Sequence, residues 1–265
     1  MSALFKGKLV LITGAARGVG LAIFEYFMHH GADLIVLDNS KEHLVALEKQ
    51  LQAAKMHYHA LYLDVTNAKE VCIEFQAAEK IMGKPVDILV NVVGGGLCEL
   101  LQDSTPEIFK RDLDLNLLSA YNCFEALRAS FLKKGAGVVI NIGSVNGMTT
   151  FGHPCYSAAK AGLESYTKAI AVEYGKHGIR ANIICPGTVK TRLWEERAAR
   201  NPGVFEEIKK WYPLNDIVKT QDIAEAVGFL ASDAAKMITG VALPVDAGLM
   251  AGHPAMVESF TQRKL

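Results

Sequence analysis

Short aliphatic runs alternate along this chain with longer segments whose apolar positions recur every three or four residues. The runs fall at 9–13, 33–37, 58–62, 87–91, 137–142, 180–184 and 241–245, and most are dense in Val, Ile and Leu. Apolar runs of this length predict strands buried on both faces, as in a parallel sheet. The segments 18–30, 41–53, 68–82, 106–132, 155–176 and 220–232 predict helices that pack one face on that sheet. The regular alternation predicts an α/β fold: a doubly wound parallel sheet of about seven strands with helices on both faces.

The chain has no internal repeat, low-complexity linker or break in composition, so residues 1–265 are expected to form a single domain. One stretch departs from the alternation. Residues 188–215 contain both tryptophans, Trp194 and Trp211, with several charges, and follow a strand end. Open α/β sheets bind ligands at such ends, so this stretch predicts a helical lid, with a plain surface insertion as the alternative. The tail, 249–265, either frays into solvent or reaches a neighbouring subunit.

Composition narrows the function classes. Half of the 265 residues are hydrophobic, enough for a sizeable core. The 28 basic and 28 acidic residues cancel, so no nucleic-acid partner is expected. No apolar run approaches the roughly 18 to 20 residues that span a bilayer, and the segment Met1 to Gly7 lacks the apolar stretch of a leader. The five cysteines are scattered with no CxxC pair, which predicts reduced thiols in a cytoplasmic protein and no metal site. Cys155 reads as a small wall residue beside Tyr156.

The candidate chemistry begins after the first predicted strand, with Thr13-Gly14-Ala15-Ala16-Arg17-Gly18-Val19-Gly20. Gly14 permits a tight turn there. Gly18 and Gly20 let the amides around Val19 approach a pyrophosphate at a helix N-terminus. Asp38 ends the second predicted strand and suits both hydroxyls of an adenosine ribose. Its charge repels a 2′-phosphate, and Asn39 and Ser40 supply no compensating cation, so NAD is expected over NADP. Arg17 is the counterweight, because a basic residue in the turn can reach a 2′-phosphate. Asp64 and Val65 follow the third strand and are candidates for the adenine edge. Asn91 to Gly96 follow the fourth, with glycines that permit close backbone approach.

Tyr156 and Lys160 stand at i, i+4, which puts them on one helix face. An ammonium beside a phenol favours the phenolate, so Tyr156 is expected to exchange protons near neutral pH. Ser144 lies twelve residues upstream and Asn116 further back. A nucleotide turn combined with a proton-transfer pair reads as hydride chemistry.

Together these motifs resemble the short-chain dehydrogenase/reductase superfamily over about residues 5 to 250. TGxxxGxG is Thr13 to Gly20, and the Ser-Tyr-Lys set falls on Ser144, Tyr156 and Lys160. The family's Asn-Asn-Ala-Gly appears as Asn91-Val92-Val93-Gly94, altered at two positions but with its glycine intact. Pro186-Gly187-Thr188 matches the segment that approaches nicotinamide. The resemblance implies a Rossmann fold with Tyr156 as general acid or base and Ser144 bonding the substrate oxygen. It implies Lys160 on the nicotinamide ribose, lowering the tyrosine pKa, and Asn116 holding a water that relays protons. Val189 and Thr191 would hold the carboxamide. It also implies a homotetramer built on helices 106–132 and 155–176, whose Phe109, Leu113, Leu117, Tyr121, Phe124, Leu163, Tyr166, Ile170 and Tyr174 exceed what one sheet face buries.

Gly95, Leu97, Asn146, Met148, His153, Leu193 and Trp194 are substrate-pocket candidates by position. Their mixed polarity points to a small or medium secondary alcohol or ketone. His153 suits a polar or anionic substrate group, or equally a surface turn before Pro154. Two other functions stay open: an NADP-dependent carbonyl reductase, and a non-catalytic NAD-binding sensor or scaffold.

Overall fold

The computed structural model describes residues 3–190 and 192–264. Seven strands form one sheet: β1 (Leu9–Thr13), β2 (Asp33–Asp38), β3 (Tyr58–Tyr62), β4 (Ile88–Asn91), β5 (Gly137–Ile142), β6 (Ile179–Pro186) and β7 (Ala242–Val245). Their order is β3-β2-β1-β4-β5-β6-β7, and every pairing is parallel. This is the Rossmann-like arrangement expected from the alternation. Leu11 pairs with Ile35 on one side and Leu89 on the other. The chain winds outward from β1 through β3, then returns to lay β4 against the free side of β1. That reversal opens a crevice beyond the carboxyl ends of β1 and β4.

Period-two alternation divides β1 between two cores. Val10 and Ile12 face one layer with α1 (Gly18–His29), α2 (Lys41–Ala53) and α9 (Thr220–Ala231), whose Phe24, Phe27, Leu47 and Val227 are buried. Leu9 and Leu11 face the other, with α3 (Ala68–Met82), α5 (Ser119–Lys134) and α6 (Pro154–Tyr174), through Phe75, Phe124, Phe131 and Ile170. Burying such a side chain stabilises the fold by about 1.5–3 kcal/mol, so each layer holds its helices firmly. Local signals set the helix ends. Asn67 accepts from the Glu70 amide at 3.4 Å to open α3, and Gly83, at φ 68°, closes it.

The helix expected at 106–132 is broken. It forms as α4 (Pro106–Leu113), a π-helical turn at Asp114–Leu118, and α5. The widened turn carries Asn116, whose amide bonds the Asp112 carbonyl at 2.9 Å and a loop outside the helix. Side-chain bonding of this kind is a recognised cause of local unwinding. The remaining helices are α7 (Arg192–Arg200), α8 (Val204–Lys209) and α10 (Pro254–Thr261). Among the described residues, no helix is long and apolar enough to cross a membrane.

Candidate active site

The glycine-rich turn joins β1 to α1 at the crevice. Gly14 and Gly18 adopt positive φ, at 62° and 55°. A Cβ on Gly20 would stand 1.9 Å from the Gly14 carbonyl oxygen, so the first turn of α1 can sit there only as glycine. No side chain caps α1 and its first turn has no acid, which leaves amides directed at the crevice and fits a phosphate. Arg17, at the N-cap, is exposed.

Asp38 is buried at the end of β2 and holds two backbone turns. It accepts from the Ala16 amide at 3.2 Å and the Ser40 amide at 3.0 Å. It therefore braces the glycine-rich turn. Asp64 binds the Thr66 amide and hydroxyl at 2.9 and 2.8 Å, while Val65 is buried in the second core.

The altered Asn-Val-Val-Gly segment is held by its backbone. The Thr13 hydroxyl accepts from the Val92 and Val93 amides at 2.9 and 3.3 Å, so the valine side chains do not disturb it. Asn91 donates to Asn141 at 2.9 Å, and its own side-chain oxygen is buried without a partner. Gly94 touches the next layer: a Cβ there would lie 2.7 Å from the Asn116 oxygen and 3.0 Å from Lys160 Nζ.

Lys160 is buried and donates to the Ile142 carbonyl at 2.7 Å, at the end of β5. Its ammonium lies 5.6 Å from the centre of the Tyr156 ring. Ser144 opens the short turn after β5; its hydroxyl accepts from the Asn146 amide at 3.1 Å and hydrogen-bonds the Tyr156 phenol. Burial is the largest influence on that phenol and pushes it above the usual tyrosine range, against the Ser144 bond. Burial likewise brings the Lys160 ammonium down to about 8. The expectation that Lys160 lowers the tyrosine pKa is thus not met in the protein alone. Both groups sit where charge is poorly solvated, and the ammonium is directed to a carbonyl.

A cavity of about 740 Å³ brings many candidates together. Val19, Gly94, Pro186, Gly187 and Val189 line it together with Ser144, Tyr156, Asn146, His153 and Trp194. Gly95 and Met148 do not line it. Gly95 is tied to Asn116, and Met148 follows the turn Val145–Gly147 with its side chain at the surface. Leu97 also stays outside, with its side chain exposed. Thr191 and the side chain of Leu193 lie outside the described residues.

Several lining or supporting residues escaped the sequence reading. Asp112, four residues before Asn116, is fully buried with one carboxyl oxygen unbonded. Burial raises its pKa, opposed by the Leu97 amide and then by His153 and Arg111. The Tyr212 hydroxyl accepts from the Thr188 amide at 3.1 Å and so fixes the strand end beside Gly187. Arg197, Trp211 and His253 also line the cavity. Helical spacing on α7 links Arg197 to Trp194, but only the fold shows what α7 faces.

A family described as enoyl-(acyl carrier protein) reductase matches residues 14–250. The chain belongs to the short-chain dehydrogenase/reductase family. It is an oxidoreductase of that family, whose members bind NAD(P). An uncharacterised oxidoreductase of Schizosaccharomyces pombe is 38% identical over 265 residues, covering 96% of this chain and 95% of the relative. A crystal structure of a short-chain dehydrogenase/reductase from Burkholderia thailandensis is 41% identical with a TM-score of 0.89, covering 97% and 98% of the two chains. A gluconate 5-dehydrogenase from Burkholderia cenocepacia, solved with NADP and tartrate, is 25% identical with a TM-score of 0.88, covering 94% and 98%. Val19, in the glycine-rich turn, and Gly94, after β4, both line the cavity.

Proposed function

We propose that the protein is an NAD(H)-dependent oxidoreductase that interconverts a small or medium secondary alcohol and its ketone. The observation that carries this reading is the shared cavity. Ser144 and Tyr156 meet there, with Lys160 buried behind them. Gly14, Gly18 and Gly20, the buried Asp38, and Gly94, Pro186, Gly187 and Val189 support a bound dinucleotide running from the turn to that cavity. When bound, the nicotinamide supplies or accepts the hydride.

The chain's own residues manage the proton. Tyr156, kept protonated by burial, gives its phenolic proton to the substrate oxygen during reduction; in oxidation the phenol first passes that proton to neutral Lys160, and the phenolate then takes the proton of the alcohol. Ser144 hydrogen-bonds that oxygen and supports its developing charge. Lys160, brought to about 8, returns a proton to Tyr156 at modest cost near neutral pH. Asn116 locks the 94–96 loop against Lys160.

Asp38 favours NAD, because a buried carboxylate beside the Ala16 amide repels a 2′-phosphate. A second reading, NADP, is favoured by exposed Arg17 and by the NADP complex of the gluconate 5-dehydrogenase relative. Helices α7 and α8 act as the lid, supported by Trp194, Arg197 and Ile208 on the cavity wall. We extend the proposal to a cytoplasmic homotetramer. The free cysteines fit a reducing compartment. Phe124, Leu163 and Ile170 pack into the cores, whereas Phe109, Leu118 and Tyr121 stay exposed and offer an apolar surface to a second copy.

The test combines cofactor titration with a panel of secondary alcohols and ketones followed by nicotinamide absorbance. Tighter binding of NAD than NADP is expected, with turnover lost by about 10²–10⁴-fold in Tyr156→Phe while NAD affinity holds. Turnover of Tyr156→Phe within a few-fold of the parent would overturn the mechanism, and tighter NADP binding would overturn the cofactor choice.

A further inference from the structure

The cavity wall is one-sided in its ionisable side chains. The chain's acids and bases balance, at 28 each, yet the described residues lining this cavity include one arginine and two histidines and no carboxylate. Two of these basic side chains are held in place by their surroundings. His153 adopts a left-handed backbone, φ 52° and ψ 57°, a conformation unfavourable for a residue with a Cβ. Its amide donates to the Glu99 carbonyl at 2.9 Å, and its ring Nδ1 lies 2.9 Å from the Cys98 carbonyl. A carbonyl only accepts, so Nδ1 carries a proton, and Nε2 is the ring nitrogen left to meet a ligand.

Arg197 reaches the same cavity from α7. Its guanidinium stands 4.7 Å from the Trp194 ring centre, and it pairs with Glu99 at 2.5 Å. Glu99 is 69% exposed, so this ion pair is weak and open to exchange. The short segment Cys98-Glu99 thus positions both basic side chains: two carbonyls hold His153 and one side chain holds Arg197.

We infer that the part of the cavity lined by Arg197 and His153 is a carboxylate site, and that the substrate is a hydroxy acid or keto acid whose carboxylate these two residues bind. A guanidinium presents a planar fork matched to a carboxylate, and an arriving anion favours the protonated imidazole with Nε2–H as donor. Ser144 and Tyr156, which line the same cavity, then meet the substrate's hydroxyl-bearing carbon. A nicotinamide reaching this cavity would take up part of its volume, about 740 Å³, and leave room for a short acid. This inference deepens the oxidoreductase reading and rests on it for the reacting carbon, though not for the anion contacts.

Both tryptophans of the chain line the cavity, so their fluorescence reports binding without turnover. Full-length protein, with and without saturating NAD, is titrated with tartrate against threitol and with lactate against propane-1,2-diol. In each pair the neutral member carries hydroxymethyl in place of carboxylate. At least one acid is expected to bind tenfold or more tightly than its neutral partner. Arg197→Gln and His153→Asn should each weaken that acid roughly tenfold, the typical loss of a charged hydrogen bond, and leave the diols unchanged. Asparagine tolerates the left-handed backbone, and Arg197 sits on a peripheral helix, so the two variants test the site independently of folding. Equal binding of acid and diol, no binding of either acid, or unaltered acid affinity in both variants would overturn the inference. Acid binding that persists in a protein unable to bind NAD would overturn the cofactor reading and leave the carboxylate site standing.

Discussion

Asn116 and Gly95 hold each other through two opposed hydrogen bonds. The Asn116 amide donates to the Gly95 carbonyl at 2.8 Å, and the Gly95 amide donates back to the Asn116 oxygen at 2.9 Å. This clamp joins the π-helical turn after α4 to the loop after β4. It keeps Gly94 against Lys160 and Gly96 against Tyr156, where added Cβ atoms would come within 3.0 and 3.2 Å.

Asn116→Ala should therefore act on both stability and rate. It strands half-buried polar groups of Gly95 and removes a buried partner of the Asp112 carbonyl, at about 1–3 kcal/mol for an unsatisfied group. Denaturant unfolding should show a lowered midpoint with an unchanged slope, and kcat should fall more than KM rises. A midpoint equal to the parent's would mean that water or the backbone replaces the clamp without cost.

Asp38 carries a second, structural duty that sequence alone does not reveal. Asp38→Asn keeps the shape, but its single carbonyl oxygen must serve where two carboxylate oxygens served the Ala16 and Ser40 amides. The variant is expected to lose about 1 kcal/mol of stability and to shift the NADP-to-NAD affinity ratio upward by roughly tenfold. Calorimetric titration with each cofactor measures the shift. An unchanged ratio would place the ribose contact elsewhere.

Much of the fold was legible in advance because strands buried on both faces must be aliphatic throughout. Leu9 to Thr13 and Gly137 to Ile142 therefore announce themselves. The break at Asp114–Leu118 was not legible, because its cause is a bond from Asn116 to a loop about twenty residues upstream. The same limit hid Thr13 as the clamp on Val92, since only the adjacency of β1 and β4 brings them together. Motif spacing located Ser144, Tyr156 and Lys160, but not the burial that governs their protons. Arg197 sat in plain sight among many surface-type charges, and only the packing of α7 over the cavity distinguishes it.

Burial of Lys160 has a definite sign in a pH titration of stability. Its folded value, about 8, lies below the ordinary lysine value of 10.5. Between those two values the unfolded chain binds the proton more readily, so stability contributed through Lys160 rises with pH across that window. Below about 8 the folded protein bears the full cost of a buried ammonium. Lys160→Met should flatten the stability–pH slope between pH 8 and 10.5. The matching measurement is urea unfolding at a series of pH values. A parallel slope in parent and variant would assign the titration to other groups.

The cysteines offer a test of packing around Tyr156. Cys98 and Cys155 lie with their sulfurs 3.6 Å apart, both buried, beneath the turn that carries His153. Burial first, then the Cys98 contact, raises the Cys155 thiol, and burial raises Cys185 to about 11 and Cys123 further still. Alkylation requires an accessible thiolate, so these positions should resist it in the native protein. Cys72, on the outer face of α3, is exposed. Brief treatment with iodoacetamide at pH 8 is expected to label Cys72 alone, and the other four only after unfolding. Peptide mass spectrometry reads the outcome directly. Rapid native labelling of Cys155 would show that the wall beside Tyr156 opens to solvent, and would contradict the closed packing from which the Tyr156 proton behaviour was argued.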